Sequence, residues 1–220
     1  MELTVVIPAY NEESSIRDTI QHIKKYVPGS RIIVVDDKSK DKTGEMALKE
    51  NVQVITHKKN MGYGAALKTG MRSAKTKYVA FLDADMTYDP YYFPSMMADM
   101  KKLNLDCIWG NRFGGTKNRM PFVRKIGNKS FAWIFFLLTG ENIGDSASGQ
   151  RILKTSSLKK IDFETLPDDL NFTPALSKRI VKRKLKFRVV PINYENRRGS
   201  SKLSLIRHGY KMFRSILLEK

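Results

Sequence analysis

Cysteine is nearly absent from this chain of 220 residues, and long apolar runs are absent too. The single cysteine, Cys107, rules out an internal disulfide and is typical of a reducing compartment. The longest unbroken apolar run, residues 131–138, falls far short of the roughly 20 residues that a membrane-spanning helix needs. Glu2 interrupts the start of the chain, where a signal segment would be apolar. The sequence therefore predicts no membrane crossing, and it is compatible with a segment that lies on a membrane surface.

The common nucleotide-binding loops are missing as well. Residues 8–12 (PAYNE) stand where a dinucleotide-binding protein would carry its glycine-rich loop, and Gly62 and Gly64 are too isolated to replace it. The sequence also has no Walker-type phosphate loop. A bound diphosphate would have to be held by a metal ion and by cationic side chains.

Acidic residues are few, with 22 Asp and Glu against 40 Lys and Arg, which gives a formal net charge of +18. The imbalance is concentrated at one end, since residues 178–220 contain 14 basic residues and only two acidic ones. A basic end of this kind favours phosphates, whether on nucleic acid, anionic lipid or a nucleotide. It is also compatible with an ordinary solvated face.

The apolar pattern predicts strands that alternate with helices. Strands are predicted over residues 3–7, 31–35, 52–56, 78–82 and 106–109, and helices over residues 16–27, 65–75 and 93–100. Pro8 is expected to end the first strand, because proline cannot continue a central ladder. The order indicates an α/β fold with a mainly parallel sheet flanked by helices.

Polar clusters follow all five predicted strands. They occupy residues 8–12, 36–37, 60–64, 83–85 and 110–112. In parallel sheets ligands bind outside the carboxyl ends of the strands, so these clusters are expected to meet at one edge. Five such clusters predict a site for a nucleotide diphosphate.

Asp83 and Asp85 are the most informative pair. They lie one residue apart directly after a short, apolar strand, and their carboxylates would repel each other unless a cation or hydrogen-bond donors held them. A hard divalent metal that also binds a diphosphate suits this pair. The alternative is that both side chains only cap the following turn.

Eight blocks, in this order along the chain, resemble a known family. They are residues 5–12 (VVIPAYNE), 34–43 (VVDDKSKDKT), 60–71 (NMGYGAALKTGM), 81–90 (FLDADMTYDP), 110–115 (GNRFGG), 120–128 (MPFVRKIGN), 145–153 (DSASGQRIL) and 197–211 (RRGSSKLSLIRHGYK). The sequence is similar to family 2 glycosyltransferases of the GT-A fold. The later blocks resemble the branch that acts on polyprenyl phosphates, which includes dolichol-phosphate mannosyltransferases.

The resemblance implies a single domain over residues 1–220, with a nucleotide-binding half at 1–115 and an acceptor-side half with amphipathic helices at 116–220. It implies roles in binding the nucleotide sugar for Pro8, Tyr10, Glu12, Asp36, Asp37, Asp83, Ala84, Arg112, Arg197, Arg198 and Lys202. Asp37, with Asp36, would accept hydrogen bonds from the base of a UDP- or GDP-linked hexose.

The resemblance also implies Mg²⁺ or Mn²⁺ as cofactor, with Asp85 as the chief ligand and Asp83 and Thr87 beside it. The metal would neutralise the charge that grows on the departing nucleoside diphosphate. Some relatives carry Gln where this chain has Thr87, which is a weaker ligand.

A basic loop over residues 197–202 is expected to fold over this site, and Gly199 permits the bend. In the dolichol-phosphate mannosyltransferase pattern the key arginine lies six residues before the lysine, where this chain has Asn196. Either Arg197 or Arg198 would replace it. The alternative is a solvated charge run ahead of the last helix.

Asp145 resembles the acceptor-side acid of the family and has two alternative roles. With a sugar hydroxyl as acceptor, Asp145 would take the proton as general base. With a lipid phosphate the nucleophile is already an anion, and Asp145 would only position it or a cation. Gln150 stands where relatives have an aromatic residue, which bears on the sugar pocket.

Two basic amphipathic segments are candidates for a membrane surface. The first spans residues 121–139, and the second is a C-terminal helix carrying Leu203, Ile206, Tyr210, Phe213 and Leu217. The alternative is that both pack on the domain as core helices. Many relatives continue into transmembrane helices, so the chain is either a short peripheral form or a truncated one.

The leading hypothesis is an inverting, metal-dependent transfer of a hexose to a polyprenyl or dolichyl phosphate. We expect it to act at the cytoplasmic face of an anionic membrane, with a membrane-anchoring partner as a further expectation. A second hypothesis keeps the fold but uses a glycan hydroxyl as acceptor. A third, a basic nucleic-acid-binding module, lacks a recognised motif, and no nucleic acid is expected as a partner. His22, His57 and His208 are scattered and receive no role.

Overall fold

The computed structural model of the protein describes residues 2–198. The strands within this part are β1 (Leu3–Ala9), β2 (Arg31–Asp36), β3 (Gln53–Thr56), β4 (Tyr78–Phe81), β5 (Cys107–Asn111), β6 (Arg151–Lys154) and β7 (Phe187–Pro191). The α-helices are α1 (Ile16–Tyr26), α2 (Thr43–Lys49), α3 (Tyr63–Ser73), α4 (Phe93–Lys102), α5 (Phe122–Thr139), α6 (Ser157–Ile161) and α7 (Phe172–Lys182).

The strands form one sheet in the order β3-β2-β1-β4-β6-β5-β7. Strand β6 runs antiparallel to both neighbours, β4 and β5, and the other pairs are parallel. The prediction of a mainly parallel α/β sheet is confirmed. The carboxyl ends of β1 to β5 therefore point to the same edge, which is where the polar clusters were expected.

Alternation along β1 sends its side chains into two apolar layers, one on each face of the sheet. Val5 and Ile7 pack in the layer that also contains Ile16 and Ile20 of α1. Val6 packs in the opposite layer, with residues of α3, α5 and α7. The sheet is therefore covered on both faces, and its carboxyl edge is left to form a site.

The expectation that Pro8 ends the first strand is wrong, because β1 continues to Ala9 and Pro8 pairs with Val35. The carbonyl of Val6 accepts the N–H of Leu82, so the backbone polar groups of Val6 point toward β4, and those of position 8 point the same way. The last residue pair between β1 and β4 is Val6 with Phe81. Pro8 therefore lies beyond this ladder, where its missing N–H interrupts no ladder hydrogen bond.

The other predicted strands, and the helices over 16–27 and 65–75, lie within two residues of the observed elements. Strands β6 and β7 were not predicted. They have four and five residues. Strand β6 has only two apolar residues, between Arg151 and Lys154, and Arg188 interrupts the apolar run of β7. The predicted C-terminal amphipathic helix lies outside the described residues. Among residues 2–198, the helices are all too short or too polar to span a bilayer.

Two helical glycines offer a matched test of packing. A Cβ at Gly70 of α3 would lie 2.2 Å from Cγ1 and 2.9 Å from Cγ2 of the buried Val6, whereas a Cβ at Gly127 of α5 would meet nothing within 4 Å. We expect Gly70→Ala to lower the free energy of unfolding by about 1–2 kcal/mol, because overpacking outweighs the better helix propensity of alanine. We expect Gly127→Ala to raise it by up to about 1 kcal/mol. Urea denaturation of both variants checks this, and a stabilised Gly70→Ala would contradict the close contact between α3 and β1.

Candidate active site

A cavity of about 650 Å³ opens at the carboxyl edge of the sheet. This is the size of an ordinary ligand pocket. Nine of the predicted binding residues contribute to its walls, namely Pro8, Tyr10, Glu12, Asp37, Asp83, Ala84, Asp85, Arg112 and Arg197. They come from positions up to 189 residues apart in the chain, between Pro8 and Arg197. The fold thus brings together what the sequence keeps apart.

Asp83 lies directly beyond β4, between a hydrogen-bond donor and a glycine. Its Oδ1 accepts a hydrogen bond of 2.6 Å from the hydroxyl of Tyr63. On the other side, a Cβ at Gly149 would stand 2.6 Å from both carboxylate oxygens. Burial, followed by the charge of Asp85, raises the pKa of Asp83 to about 7. The corner therefore holds more buried negative charge than its immediate surroundings neutralise.

Asp85 is held on both of its oxygens. Oδ1 accepts the amide of Thr87 at 3.1 Å and its hydroxyl at 2.5 Å. Oδ2 accepts Nη1 of Arg197 at 2.8 Å, and the same guanidinium also donates to Glu12. The hydroxyl of Thr87 thus orients Asp85 instead of lying at the cavity wall as a direct ligand.

The carboxylate oxygens of Asp83 and Asp85 at this corner are suitable ligands for a hard divalent cation. Among residues 2–198, no group of three or more His, Cys, Asp or Glu side chains is arranged to hold a metal by itself. Mg²⁺ is usually bound by one or two carboxylates together with the phosphates of the substrate, which matches Asp83 and Asp85. Arg197 already supplies positive charge to Asp85, so the corner attracts cations.

Arg112 and Asp145 form a buried ion pair. Nε of Arg112 lies 2.6 Å from Oδ2 of Asp145, and Nη2 lies 2.8 Å from Oδ1. The amide of Ala147 also donates to Oδ1, at 3.2 Å. Arg112 reaches the cavity wall and lies over the ring of Tyr194, whereas Asp145 is only 1% exposed and lies behind Arg112. The side chain that can meet a ligand is therefore the arginine.

Arg151 fixes the segment that carries Asp145, and sequence reasoning missed it. This arginine is fully buried, donates to the carbonyls of Ser146 and Ser148 and to the hydroxyl of Ser177, and lies over the ring of Trp109. Burial lowers its pKa. The available signal was the place of Arg151 in the sequence, within the same family-like block as Asp145 (residues 145–153).

Asp36 and Asp37 diverge at the end of β2. Asp37 lines the cavity and is bound by His57 at 2.7 Å and by the amides of Met61 and Gly62, each at 2.8 Å. Asp36 accepts the amide of Ser39, and a Cβ at Gly44 of α2 would lie 3.0 Å from its Oδ2. His57, which received no role from the sequence, is therefore a partner of the aspartate that faces the cavity.

The glycines at 62 and 64 serve a close approach of two chain segments. A Cβ at Gly62 would lie 2.5 Å from the carbonyl oxygen of Asp168, and one at Gly64 would lie 2.1 Å from that of Pro167. The buried Lys68 of α3 anchors the same segment, since its Nζ donates to the carbonyls of Glu164 and Leu166. This contact places Leu170 at the cavity wall.

The remaining predicted residues lie apart from the cavity or outside the described part. Arg198 pairs with Asp18 on α1, while its amide donates to the carbonyl of Asp85 at 3.1 Å. Arg197, not Arg198, is therefore the arginine at the cavity wall. Lys202 lies outside the described residues.

Comparison with known proteins identifies the kind of enzyme that carries such a site. The profile of the family described as "Glycosyl transferase family 2" matches residues 4–162. An uncharacterised protein of Methanocaldococcus jannaschii is 34% identical over all of this chain and 92% of its own length. A dolichyl-phosphate hexose transferase of Haloferax volcanii is 29% identical over 98% of this chain and 92% of its own length. A UDP-N-acetylglucosamine–dolichyl-phosphate N-acetylglucosaminyltransferase of Methanococcus voltae is also 29% identical, over 98% of this chain and 95% of its own length.

Solved structures share the fold. Glucosyl-3-phosphoglycerate synthase from Mycobacterium tuberculosis, in complex with Mn²⁺, UDP and glucosyl-3-phosphoglycerate, has a TM-score of 0.79 at 18% identity and covers 99% of this chain and 79% of its own. The same enzyme in complex with Mg²⁺ and UDP has a TM-score of 0.80 at 19% identity, with coverage of 99% and 79%.

Proposed function

The chain belongs to glycosyl transferase family 2, and we propose that it transfers a hexose from a nucleotide sugar to a polyprenyl or dolichyl phosphate. The family membership confirms the prediction of a glycosyltransferase. The acceptor class is supported by the dolichyl-phosphate transferases among its relatives. The observation that carries the proposal is the buried pair of Arg112 and Asp145, with the arginine at the cavity wall.

This pair suits an acceptor that is an anion before it reacts. Both oxygens of Asp145 accept hydrogen bonds from Arg112, so the carboxylate is poorly placed to take a proton from a hydroxyl group. A phosphate monoester is largely ionised at pH 7 and needs no base. Arg112 would bind that phosphate through its remaining N–H groups, and Asp145 would fix the direction of the guanidinium.

The reaction is a single displacement. An oxygen of the acceptor phosphate forms a bond to the anomeric carbon, and the bond from that carbon to the diphosphate oxygen breaks with its electron pair, which inverts the configuration. Asp85 and Asp83 would hold Mg²⁺ or Mn²⁺, as the metal–UDP complexes of the structural relatives suggest. When bound, the metal neutralises the charge of the leaving diphosphate.

The other residues would place the donor. Asp37, which His57 and two backbone amides hold in position, would accept a hydrogen bond from the base of the nucleotide. Glu12 and Arg197, which line the cavity beside Asp85, would lie beside the diphosphate. In this scheme residues 1–115 serve the nucleotide except for Arg112, which binds the acceptor phosphate. Residues 116–198 serve the acceptor except for Arg197, which lies beside the diphosphate.

Helix α5 is the proposed contact with the membrane that contains the acceptor. Phe122, Trp133 and Leu137 are 75%, 64% and 60% exposed, and the exposed Lys129 lies among them. An apolar face flanked by lysines suits the interface of an anionic bilayer. The cytoplasmic location and an anchoring partner stay predictions.

The direct test is transfer by the purified protein from a panel of UDP- and GDP-hexoses to a C55 polyprenyl phosphate in detergent, with Mn²⁺ or Mg²⁺. We expect a lipid-linked hexose with at least one donor, and none after chelation with EDTA. The matched control is the free polyprenol, which offers a hydroxyl group in place of the phosphate and should accept no sugar. Transfer to the polyprenol, or no transfer to polyprenyl phosphate from any donor, would overturn the proposed acceptor.

A further inference from the structure

His57 limits what the carboxylate of Asp37 can bind. The Nδ1 atom of His57 lies 2.7 Å from Oδ1 of Asp37 and is the donor, since an ionised carboxylate only accepts hydrogen bonds. The other ring nitrogen, Nε2, lies 2.9 Å from the hydroxyl of Thr69 on α3. The ring is only 8% exposed and is bound on both nitrogens, whereas Asp37 lines the cavity. His57 is therefore a fixed donor to a carboxylate that faces a ligand.

Most of the hydrogen-bonding capacity of this carboxylate is already used. A carboxylate has about four positions for hydrogen-bond donors, two on each oxygen. Oδ1 of Asp37 accepts His57 and the amide of Met61, which fills both of its positions. Oδ2 accepts the amide of Gly62 at 2.8 Å, and no second donor to this oxygen comes from the described residues. Asp37 therefore offers a ligand one further position, on Oδ2.

Asn60 supplies a donor close to this position. It lines the cavity, and its Nδ2 donates to the backbone carbonyl of Asp37 at 3.2 Å. A side-chain amide nitrogen has two hydrogens, so the second one can donate to a ligand. This part of the cavity thus combines one acceptor position with one donor.

The nucleotide bases differ in how many neighbouring donors they present. Uracil has a single N–H between two carbonyl oxygens, and thymine has the same edge. Guanine has a ring N–H next to an amino group, so it needs two acceptor positions side by side. One acceptor position beside one donor therefore fits the uracil edge. Guanine would place an amino hydrogen against an oxygen whose positions are filled.

We propose that His57 is a specificity-determining residue, which fills Oδ1 of Asp37 and thereby selects a base with a single N–H between two carbonyl oxygens over guanine. This inference rests on the proposed function and narrows the donor to a sugar linked to UDP or dTDP. A buried N–H left without an acceptor lowers affinity roughly 5- to 150-fold. Because His57 acts through Asp37, it is a positioning residue.

Inosine diphosphate (IDP) is the matched probe for the amino group. It differs from GDP only in lacking this group, so it is a purine with a single N–H at the same edge. Isothermal titration calorimetry with Mn²⁺ is expected to give a Kd for GDP about 30-fold above that for the better of UDP and dTDP, and about 10-fold above that for IDP. The tighter of UDP and dTDP identifies the donor nucleotide.

Two substitutions test the part played by His57. His57→Phe keeps a ring but removes the donor, which opens a second acceptor position on Asp37. We expect the ratio of the Kd for GDP to that for IDP to fall from about 10 to about 1 in this variant. His57→Asn places an amide nitrogen near the position of Nδ1, and it is expected to keep the ratio near that of the parent protein.

The ratio of two affinities within one protein does not change when a substitution only weakens the fold. Equal Kd values for GDP and IDP in the parent would mean that the size of the base decides, and would overturn the proposal. An unchanged ratio in His57→Phe, with both affinities lowered by the same factor, would overturn it as well. If UDP or dTDP is selected as expected but none of their hexoses yields a lipid-linked product, the base selection stands and the proposed transfer fails.

Discussion

The Asp145→Asn substitution is expected to lower kcat/KM for polyprenyl phosphate by about 100-fold, mainly through a higher KM for the acceptor. Asparagine still accepts one hydrogen bond from Arg112, but its amide group faces the second N–H donor of the guanidinium and repels it. Arg112 then loses its fixed direction, while the metal corner at Asp85 is untouched. The affinity for Mn²⁺ and UDP or GDP should therefore stay near that of the parent protein. Steady-state kinetics with the acceptor varied, together with nucleotide titrations, check both parts.

A double-mutant cycle with Arg112→Gln separates the two roles of Asp145. If the carboxylate acts through the arginine, the Arg112→Gln/Asp145→Asn protein should be about as slow as Arg112→Gln alone, because the same interaction is lost once. A general base would act independently, and the two losses would multiply. Abolished turnover in Asp145→Asn with unchanged acceptor affinity would contradict the positioning role and restore the glycan-hydroxyl hypothesis.

Local pattern was sufficient to predict most of the sheet. The apolar run of β1 predicts a strand that is buried on both faces. The apolar residues of α1 recur at helical spacing, so they identify both the helix and its buried face. Each parallel strand must then deliver its following loop to the same edge. The five polar clusters could be assigned to one site for this reason, without knowledge of any contact between them.

The direction of β6 and the partners within the site could not be predicted in this way. Strand β6 lies between β4 and β5, and the sequence of residues 151–154 does not indicate which strands it pairs with. Asp145 meets Arg112 across 33 residues, and Tyr63 meets Asp83 across 20. Such pairs depend on how whole elements pack, and a single sequence contains no record of that.

The glycines of the site illustrate the same limit. The sequence places Gly62 and Gly64 in the polar cluster after the third predicted strand, where they are too isolated to form a phosphate-binding loop. The structure gives the reason for both glycines, since the backbone at Pro167 and Asp168 approaches both positions more closely than a side chain would permit. Glycine is required there by a segment that lies about 100 residues further along the chain.

Gly149 provides the second large effect. We expect Gly149→Ala to reduce transfer by about 100-fold or more, because the new Cβ would stand 2.6 Å from both carboxylate oxygens of Asp83. The backbone at Gly149 is held in place, because its N–H donates to the hydroxyl of Tyr88 and Arg151 binds the carbonyl of Ser148. The carboxylate of Asp83 must therefore be the group that moves. Displacement of Asp83 alters the corner that is proposed to bind the metal and the diphosphate. Turnover and the affinity for Mn²⁺ with nucleotide should therefore fall together.

Introducing Gly149→Ala into the Asp83→Ala protein shows whether the loss of transfer is caused by displacement of this carboxylate. Once the carboxyl group is gone, a methyl group at position 149 has space to occupy, so Gly149→Ala/Asp83→Ala should be no slower than Asp83→Ala alone. Gly127→Ala is the matched control for an added methyl group, because it meets open space and should leave the affinity for metal and nucleotide unchanged. A further 100-fold loss in the double variant would mean that the methyl group damages the Asp145 segment itself. In that case, Gly149 would be needed for the acceptor side of the cavity and not for the metal corner.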